Sequence, residues 1–444
     1  MSLDRVKDSD IEFVEETGSQ DHGSTDAEEA ALVRKIDLTL LPTMWIMYLL
    51  SYMDRTNIGN AKVAGMTADL HMDSNQYSVS LVVFFVTYVV FEVPSNLVLS
   101  KTKPSVFLPV IMFLWGTVTI CMSQVHTYGQ LVALRTIVGM LEAGFAPGVM
   151  LMLSSWYKKN EQSKRFAVYI SAAVLSGALA ALSQGPLQAI VEGAATAGWA
   201  LLSAFVLPDF PANTKRLSER EREIAISRLE ADDVRNRTEN TPRLTSLQAL
   251  AQSVRNWRTW LLVAGYMVIV GSSTLSYFYP TLVQGLGYSS HMAQYMVVPI
   301  YAVAFVCVLV TGYLSDKVPR QRGAIIASWL VVSTVCSIVI CAVYDFKARY
   351  ALLVIMAAGL WATNGLSLSY AASTFGAMPQ EVRAVSLALV NALGNLAQIY
   401  GAYLFPSQDG PKYLLGFGVI SGMCAFGVVV YSVAHVLLRK YIQK

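Results

Sequence analysis

The chain has 444 residues, of which 54% are hydrophobic and only 14% charged, and its mean hydropathy is +0.47. A soluble domain carries about 25% charged residues, and here the apolar residues come in long blocks, so a soluble fold is excluded and a membrane-embedded one implied. The formal net charge of +3 resides in the loops, with no basic stripe interleaved with aromatics, so nucleic acid is not an expected partner.

Residues 1–35 are acidic and polar and read as a disordered cytosolic tail. They have no basic stretch ahead of a short apolar core, so no cleaved signal is expected. A bilayer core of about 30 Å takes about 20 apolar residues per helix. Apolar runs of that length cover 36–53, 78–99, 106–123 and 130–153. After Lys158, Lys159 and Asn160, an unusually long run covers 166–207. Breaking it at Gly185-Pro186, a turn-forming pair, gives a fifth helix over 166–184 and a sixth over 187–207, with Glu192 inside the sixth. Both are barely long enough, and a re-entrant or truncated sixth helix is the alternative. A hydrophilic segment over 208–256 follows, in which 217–229 has the pattern of an amphipathic helix lying on the membrane surface. Six more runs cover 257–283, 292–314, 324–344, 350–373, 382–405 and 413–438.

The chain thus divides into a tail (1–35), a six-helix half (36–207), a central loop (208–256), a second six-helix half (257–438) and a short tail (439–444). Lys101, Lys103, the basic residues of 158–165, the central loop, 317–322 and 439–444 all fall on one side, while 126–129 and 285–291 are almost free of Lys and Arg. By the positive-inside rule, that places both termini and the central loop in the cytosol. The five cysteines lie inside apolar blocks without a CxxC pair; they read as packing residues, and no metal or other cofactor is expected. No nucleophile–base pair or phosphate loop is present, so an enzyme is not expected.

Two sets of six helices suggest parallel repeats around a midplane site. Ionisable residues in membrane helices usually line a polar cavity and have partners. Arg135 and Glu142 are seven residues apart, two helical turns, and so share one face, with Gly139 between them. Glu92 on the second helix fits a packing or gating role and a role in the site equally well. In the second half the polar candidates are Tyr277 and Tyr279 before Pro280, then Asn364, and Asn391 with Asn395 one turn later. Each fits ligand contact or helix packing.

The segment from Gly312 through Asp316, Lys317, Arg320 and Arg322 resembles the glycine/aspartate/basic gating loop of the major facilitator superfamily. In that loop glycine lets two helices approach, and the carboxylate sits near a helix N-terminus of the other half, latched by the basic residues. Within that superfamily, Tyr52-Met-Asp54-Arg55-Thr-Asn57-Ile-Gly-Asn60-Ala61, the stretch from Arg135 through Gly139, Glu142 and Gly144 to Gly148, Phe278-Tyr-Pro280, Leu286-Gly-Tyr288 and the stretch from Arg383 to Asn395 resemble the anion:cation symporter family, particularly its fungal allantoate and vitamin permeases. The family has a longer segment after Gly198-Trp199, supplying an Arg-Trp pair and most of helix six, which this chain lacks.

The resemblance implies an all-α membrane fold of about twelve helices in two bundles, acting as a monomer in the plasma membrane. It implies proton-driven symport of a small organic anion, a carboxylate of vitamin or allantoate type. Arg55 would offer its guanidinium fork to the substrate carboxylate, Asp54 would pair with Arg135, and Glu142 would carry the coupled proton. Asn57, Arg135, Tyr277, Asn364, Asn391 and Asn395 would complete the substrate site. A metabolite exporter, or a sensor or inactive relic on account of the short sixth helix, are the alternatives.

Overall fold

In the computed structural model, residues 26–63, 66–182, 188–232, 234, 244–287, 290–401, 403–405, 409–410 and 412–442 are described, and they are helical with turns and no strand. The first half contains α1 (Asp26–Val63), a short α2 (Met66–Asp69), α3 (Ser74–Lys101), α4 (Pro104–Met122), α5 (Tyr128–Glu142), α6 (Phe145–Trp156), α7 (Gln162–Leu182) and α8 (Gln188–Val206). The central segment forms α9 (Glu219–Ala231) and α10 (Ser246–Arg255). The second half contains α11 (Trp257–Ser273), α12 (Tyr279–Gly285), α13 (Ser290–Lys317), α14 (Arg322–Ala342), α15 (Phe346–Thr374), α16 (Gln380–Asn395), α17 (Ala397–Gly401) and α18 (Leu414–Ile442). Single 3-10 turns cover Lys159–Glu161, Thr274–Phe278 and Pro319–Gln321.

Among the described residues, eleven helical stretches are long and apolar enough to cross a membrane. The more polar α7 packs among α1, α13 and α15 as a twelfth bundle helix. Large apolar side chains such as Val106, Val110, Phe113, Val306, Val310 and Ile338 lie on the outside. That exterior suits lipid, where the helices' backbone groups are satisfied internally. Polar residues such as Asp54, Glu92, Arg135 and Glu142 turn inward.

Several elements differ from the sequence reading. The first helix does not stop at Met53 but runs to Val63. Asp54 and Arg55, which end the apolar run, point into the bundle, so the helix continues past them. The tail of 1–35 is helical from Asp26, because Glu29 is tied down by Lys158 (2.5 Å) and Arg228 (3.1 Å); residues 1–25 lie outside the described ones. At the other end, α18 continues past 438 to Ile442. Helix 217–229 does form, as α9, but it is not a surface float. Its Ile224, Ala225 and Leu229 are buried, and Arg228 bonds Glu161 at 2.6 and 2.7 Å. Lys35 donates to both oxygens of Glu221 and holds that carboxyl below its usual range. The central segment thus straps the start of α1 to the turn before α7.

Helix six is a continuous α8 of 19 residues, about 28 Å at 1.5 Å per residue, close to the apolar thickness of a bilayer. The Gly185-Pro186 break itself lies outside the described residues. A glycine pair lets α8 sit tightly on α4. A Cβ on Gly193 would fall 2.8 Å from the Gly116 carbonyl and 2.9 Å from the Ile120 nitrogen, both backbone atoms. Gly193→Val is therefore expected to push α8 off α4, at the about 1–3 kcal/mol typical of overpacking. The check is a lowered thermal transition of the purified protein in detergent. Gly198→Ala, with nothing within 4 Å of its Cβ, is expected to leave it unmoved.

Candidate functional site

Three crossings are interrupted beside a cavity at the middle of the bundle. The fourth breaks between α5 and α6 at Ala143 and Gly144, where a Cβ on Gly144 would meet Ser95 Oγ at 2.2 Å. The seventh passes through the 3-10 turn Thr274–Phe278 just before Pro280, and the eleventh breaks between α16 and α17. Such discontinuities are tolerated at membrane depth where the chain lines a cavity or is buried in protein.

The cavity lies between the halves. Its first-half wall is Tyr48, Tyr52 and Arg55 of α1 with Tyr88 of α3, and its second-half wall includes Tyr266, Tyr277, Trp361, Asn364, Asn391 and Asn395. Tyr48, Tyr52 and Arg55 follow the i, i+4, i+7 spacing of one helical face. The Arg55 guanidinium sits over the rings of Tyr88 (4.8 Å), Phe84 (5.5 Å) and Tyr52 (5.9 Å). Cations are attracted to such ring faces.

Arg55 is engaged with Glu142. Its Nε donates to Glu142 Oε1 at 2.8 Å, and its Nη2 lies at the same distance. Ser51 donates to the same oxygen. Glu142 is 1% exposed, so this is a buried ion pair at the cavity wall. The expected partnership of Asp54 with Arg135 is not formed. Asp54 instead accepts from Trp115 Nε1 (3.2 Å) and Thr196 Oγ1 (3.0 Å), beneath α4 and α8. Thr196 is one turn from the buried Glu192, so the polar residue that sat oddly in helix six faces this inner cluster. Asp54 is thus removed from the cavity surface.

Arg135 and Glu142 do share a face of α5 and are both buried. Two turns separate them by about 10 Å along the axis, and they form no direct pair, Glu142 being taken by Arg55. The Arg135 Nε donates to the Ser80 carbonyl at 3.4 Å, and its guanidinium covers the other side of the aromatic cluster, 4.7 Å from Phe84. Among the described residues no carboxylate lies within salt-bridge distance of Arg135. Arg55 and Arg135 therefore flank Phe84, with one carboxylate, Glu142, neutralising the first.

On the second-half wall, Asn364 accepts from Tyr266 OH at 3.4 Å, and Asn395 donates to the Asn391 carbonyl at 2.9 Å. Asn391 reaches across to the first half, donating to Glu92 at 2.6 Å and to Tyr88 OH at 3.4 Å. Tyr277 is 44% exposed at the cavity edge. Tyr279 is buried and packs edge-on against Tyr301 at 5.6 Å, a packing role. The backbone of Asn57 belongs to α1, but its side chain lies outside the described residues.

The gating-loop residues separate into two groups. Asp316 accepts from the backbone N–H groups of Ser163 and Lys164, both at 2.8 Å, at the N-terminus of α7 in the other half. Arg322, fully buried, bonds Asp316 at 3.1 Å and also reaches the Lys159 carbonyl and Ser373. Gly312 allows the approach, since a Cβ there would meet Ala167 Cβ at 2.3 Å. Lys317 and Arg320 are not part of the latch: Lys317 sits over Tyr313 at 4.6 Å and Arg320 is exposed. Arg383 to Ser155 (2.7 Å) and Asn96 to the Ala384 carbonyl (2.7 Å) extend the seam across α6–α16 and α3–α16. The halves are thus closed on the face that carries the central segment.

Sequence reasoning missed the aromatic lining. Tyr48 and Tyr52 were legible from their spacing to Arg55, whereas Tyr88, Tyr266 and Trp361 look like any buried aromatics of membrane helices. The inner cluster of Trp115 and Thr196 carried no signal at all, because it depends on which helices meet.

Residues 44–402 match the model of the Major Facilitator Superfamily. Over 437 residues the chain is 32% identical to the MFS transporter prlL of a fungal species, strain NRRL 50135, covering 92% of this chain and 86% of that protein. It is 30% identical to the MFS-type transporter efuF of Hormonema carpetanum, covering 94% and 87%. It is 26% identical to the high-affinity nicotinic acid transporter of Saccharomyces cerevisiae, covering 93% and 78%. With its twelve-helix bundle, inter-half cavity and latch, the chain belongs to the Major Facilitator Superfamily: it is a multi-pass membrane transporter and not an enzyme.

Proposed function

We propose that the protein is a proton-coupled importer of a small organic carboxylate, of the anion:cation symporter type, working as a monomer in the plasma membrane with both termini cytosolic. The observation that carries this reading is the buried Arg55–Glu142 pair at the cavity wall, with Arg135 on the same face of α5 and, among the described residues, no carboxylate within salt-bridge distance of it. A carboxylate substrate needs a cationic fork, and here the fork is already held by an internal carboxylate. A proton on Glu142 removes the competing charge and frees Arg55 for the substrate. Loss of the proton restores the internal pair and expels the anion. Binding of proton and anion is thus linked through one guanidinium, while Arg135 keeps the site cationic throughout. Tyr277, Asn364, Asn391 and Asn395 would orient the polar body of the substrate, and the proton gradient supplies the energy without a cofactor.

The test is uptake of labelled carboxylates by cells expressing the protein at their surface, over external pH 4.5 to 7.5. Nicotinate heads the panel because a relative is named for it, followed by pantothenate, biotin and allantoate. Uptake is expected to rise as the outside becomes more acidic, since the proton is a co-substrate. If no carboxylate moves in a folded, surface-located protein, or if uptake is indifferent to pH, the reading fails.

A further inference from the structure

Glu92 lies on α3 at the centre of the bundle and is 0% exposed. Its Oε1 accepts from Asn391 of α16, in the other half, at 2.6 Å, and its Oε2 has no hydrogen-bond partner among the described residues. Asn391 is itself fixed by Tyr88 OH and by its neighbour Asn395. No lysine or arginine lies within salt-bridge distance of Glu92 among the described residues. Arg55 of α1, the nearest cation through Tyr88, is already committed to Glu142. The other titratable groups facing this point are Tyr88 on α3 itself and Tyr266 of α11, and Gln398 of α17 lines the adjoining cavity with Asn391. Along α6, from Phe145 to Trp156, there is no titratable side chain.

A carboxylate sealed in a membrane interior with one neutral hydrogen bond is costly, and such a group takes up a proton instead. The seal, however, is conditional. Glu92 is buried because α3 and α16 meet, and these belong to different halves. Alternating access requires the halves to rock against each other, and parting them on the central-segment face removes Asn391 and admits water.

We propose that Glu92 is a second proton-binding site, one that holds a proton while the halves are closed on the central-segment face and releases it to water when they part. It differs from Glu142 in what it is linked to: Glu142 answers to substrate, Glu92 to conformation. The proton stabilises the closed arrangement, so raising the pH favours parting. This rests on the transporter reading above for its rocking motion, but it needs neither a known substrate nor proton-coupled uptake.

The experiment therefore uses no substrate. Spin labels are placed on Lys103 and Arg320, exposed residues of opposite halves on the central-segment face, after replacing the five cysteines. Their separation is measured by pulsed electron resonance on the purified protein in lipid nanodiscs at pH 5 and pH 8. In the otherwise unchanged protein a single short distance is expected at pH 5, with a longer population gaining at least fivefold at pH 8. Glu92→Gln, a neutral isostere, is expected to show the short distance at both pH values. Glu92→Asp, which keeps an ionisable group in a folded protein, is expected to restore the shift. The proposal is overturned if Glu92→Gln still opens at pH 8, if Glu92→Asp does not restore the shift, or if the unchanged protein does not respond to pH. Failure of the uptake panel with this pattern intact would sink the carboxylate reading and leave Glu92 standing.

Discussion

Replacing Arg55 by alanine is expected to lower uptake of the transported carboxylate by roughly 30- to 4,000-fold. The estimate follows from the about 2–5 kcal/mol lost when one partner of a buried charged hydrogen bond is truncated, at about 1.4 kcal/mol per tenfold. Lysine in the same place keeps the charge but not the planar fork, so Arg55→Lys is expected to fall between the two. Stability has to be separated from transport here, because Arg55 also neutralises Glu142 (2.8 Å, 1% exposed). Leaving that carboxylate buried and alone costs about 3–5 kcal/mol, and the single variant is expected to be less stable as well as inactive. The double variant Arg55→Ala/Glu142→Gln removes both charges and should regain its thermal transition and surface level without regaining uptake. Uptake by Arg55→Ala within twofold of the unchanged protein, at equal surface level, would show that the fork does not hold the substrate.

The second large effect concerns Glu142. In the unchanged protein the half-saturating substrate concentration is expected to fall as the outside becomes acidic, by up to about tenfold per pH unit, the linkage of one proton. Glutamine fills the same space and can accept from Ser51, but it never competes for Arg55 as an anion. In Glu142→Gln the KM should therefore be flat from pH 4.5 to 7.5 and close to the acid-side value of the unchanged protein. The maximal rate keeps whatever pH dependence the reorientation of the halves has, which is the part assigned to Glu92. A KM that still follows pH in Glu142→Gln would place the coupled proton on another group.

How far the site could be read in advance depended on the kind of information each residue needed. Arg135 and Glu142 stood out because a charge inside an apolar run is costly and calls for a partner, whereas Arg55, just past the first run, came from the family resemblance of 52–61. Helical spacing put Arg135 and Glu142 on one face, and they are on it. Spacing along one helix says nothing about what the facing helix brings, and the pairing came out differently. Glu142 took Arg55 from α1, while Asp54, its neighbour in sequence, points about 100° away around the helix and belongs to Trp115 and Thr196. The gating loop shows the same limit. Asp316 and Arg322 face the other half, whereas Lys317 and Arg320, equally basic in sequence, point away from it.

The sequence by itself determined that this is a multi-pass membrane protein with ionisable groups inside its crossings, because lipid imposes length and polarity on every crossing regardless of how the crossings are arranged. It left the sixth helix undecided, since hydropathy counts apolar residues and takes no account of fit. The tertiary structure decided that point through Gly116 and Gly193, which let α8 lie against α4 and turn Glu192 and Thr196 toward Asp54. It also decided which carboxylate meets which cation, and that Glu92 is sealed by a residue 299 positions away. Those are properties of the interface between halves, where the energy of a buried charge is set by groups brought together only by folding.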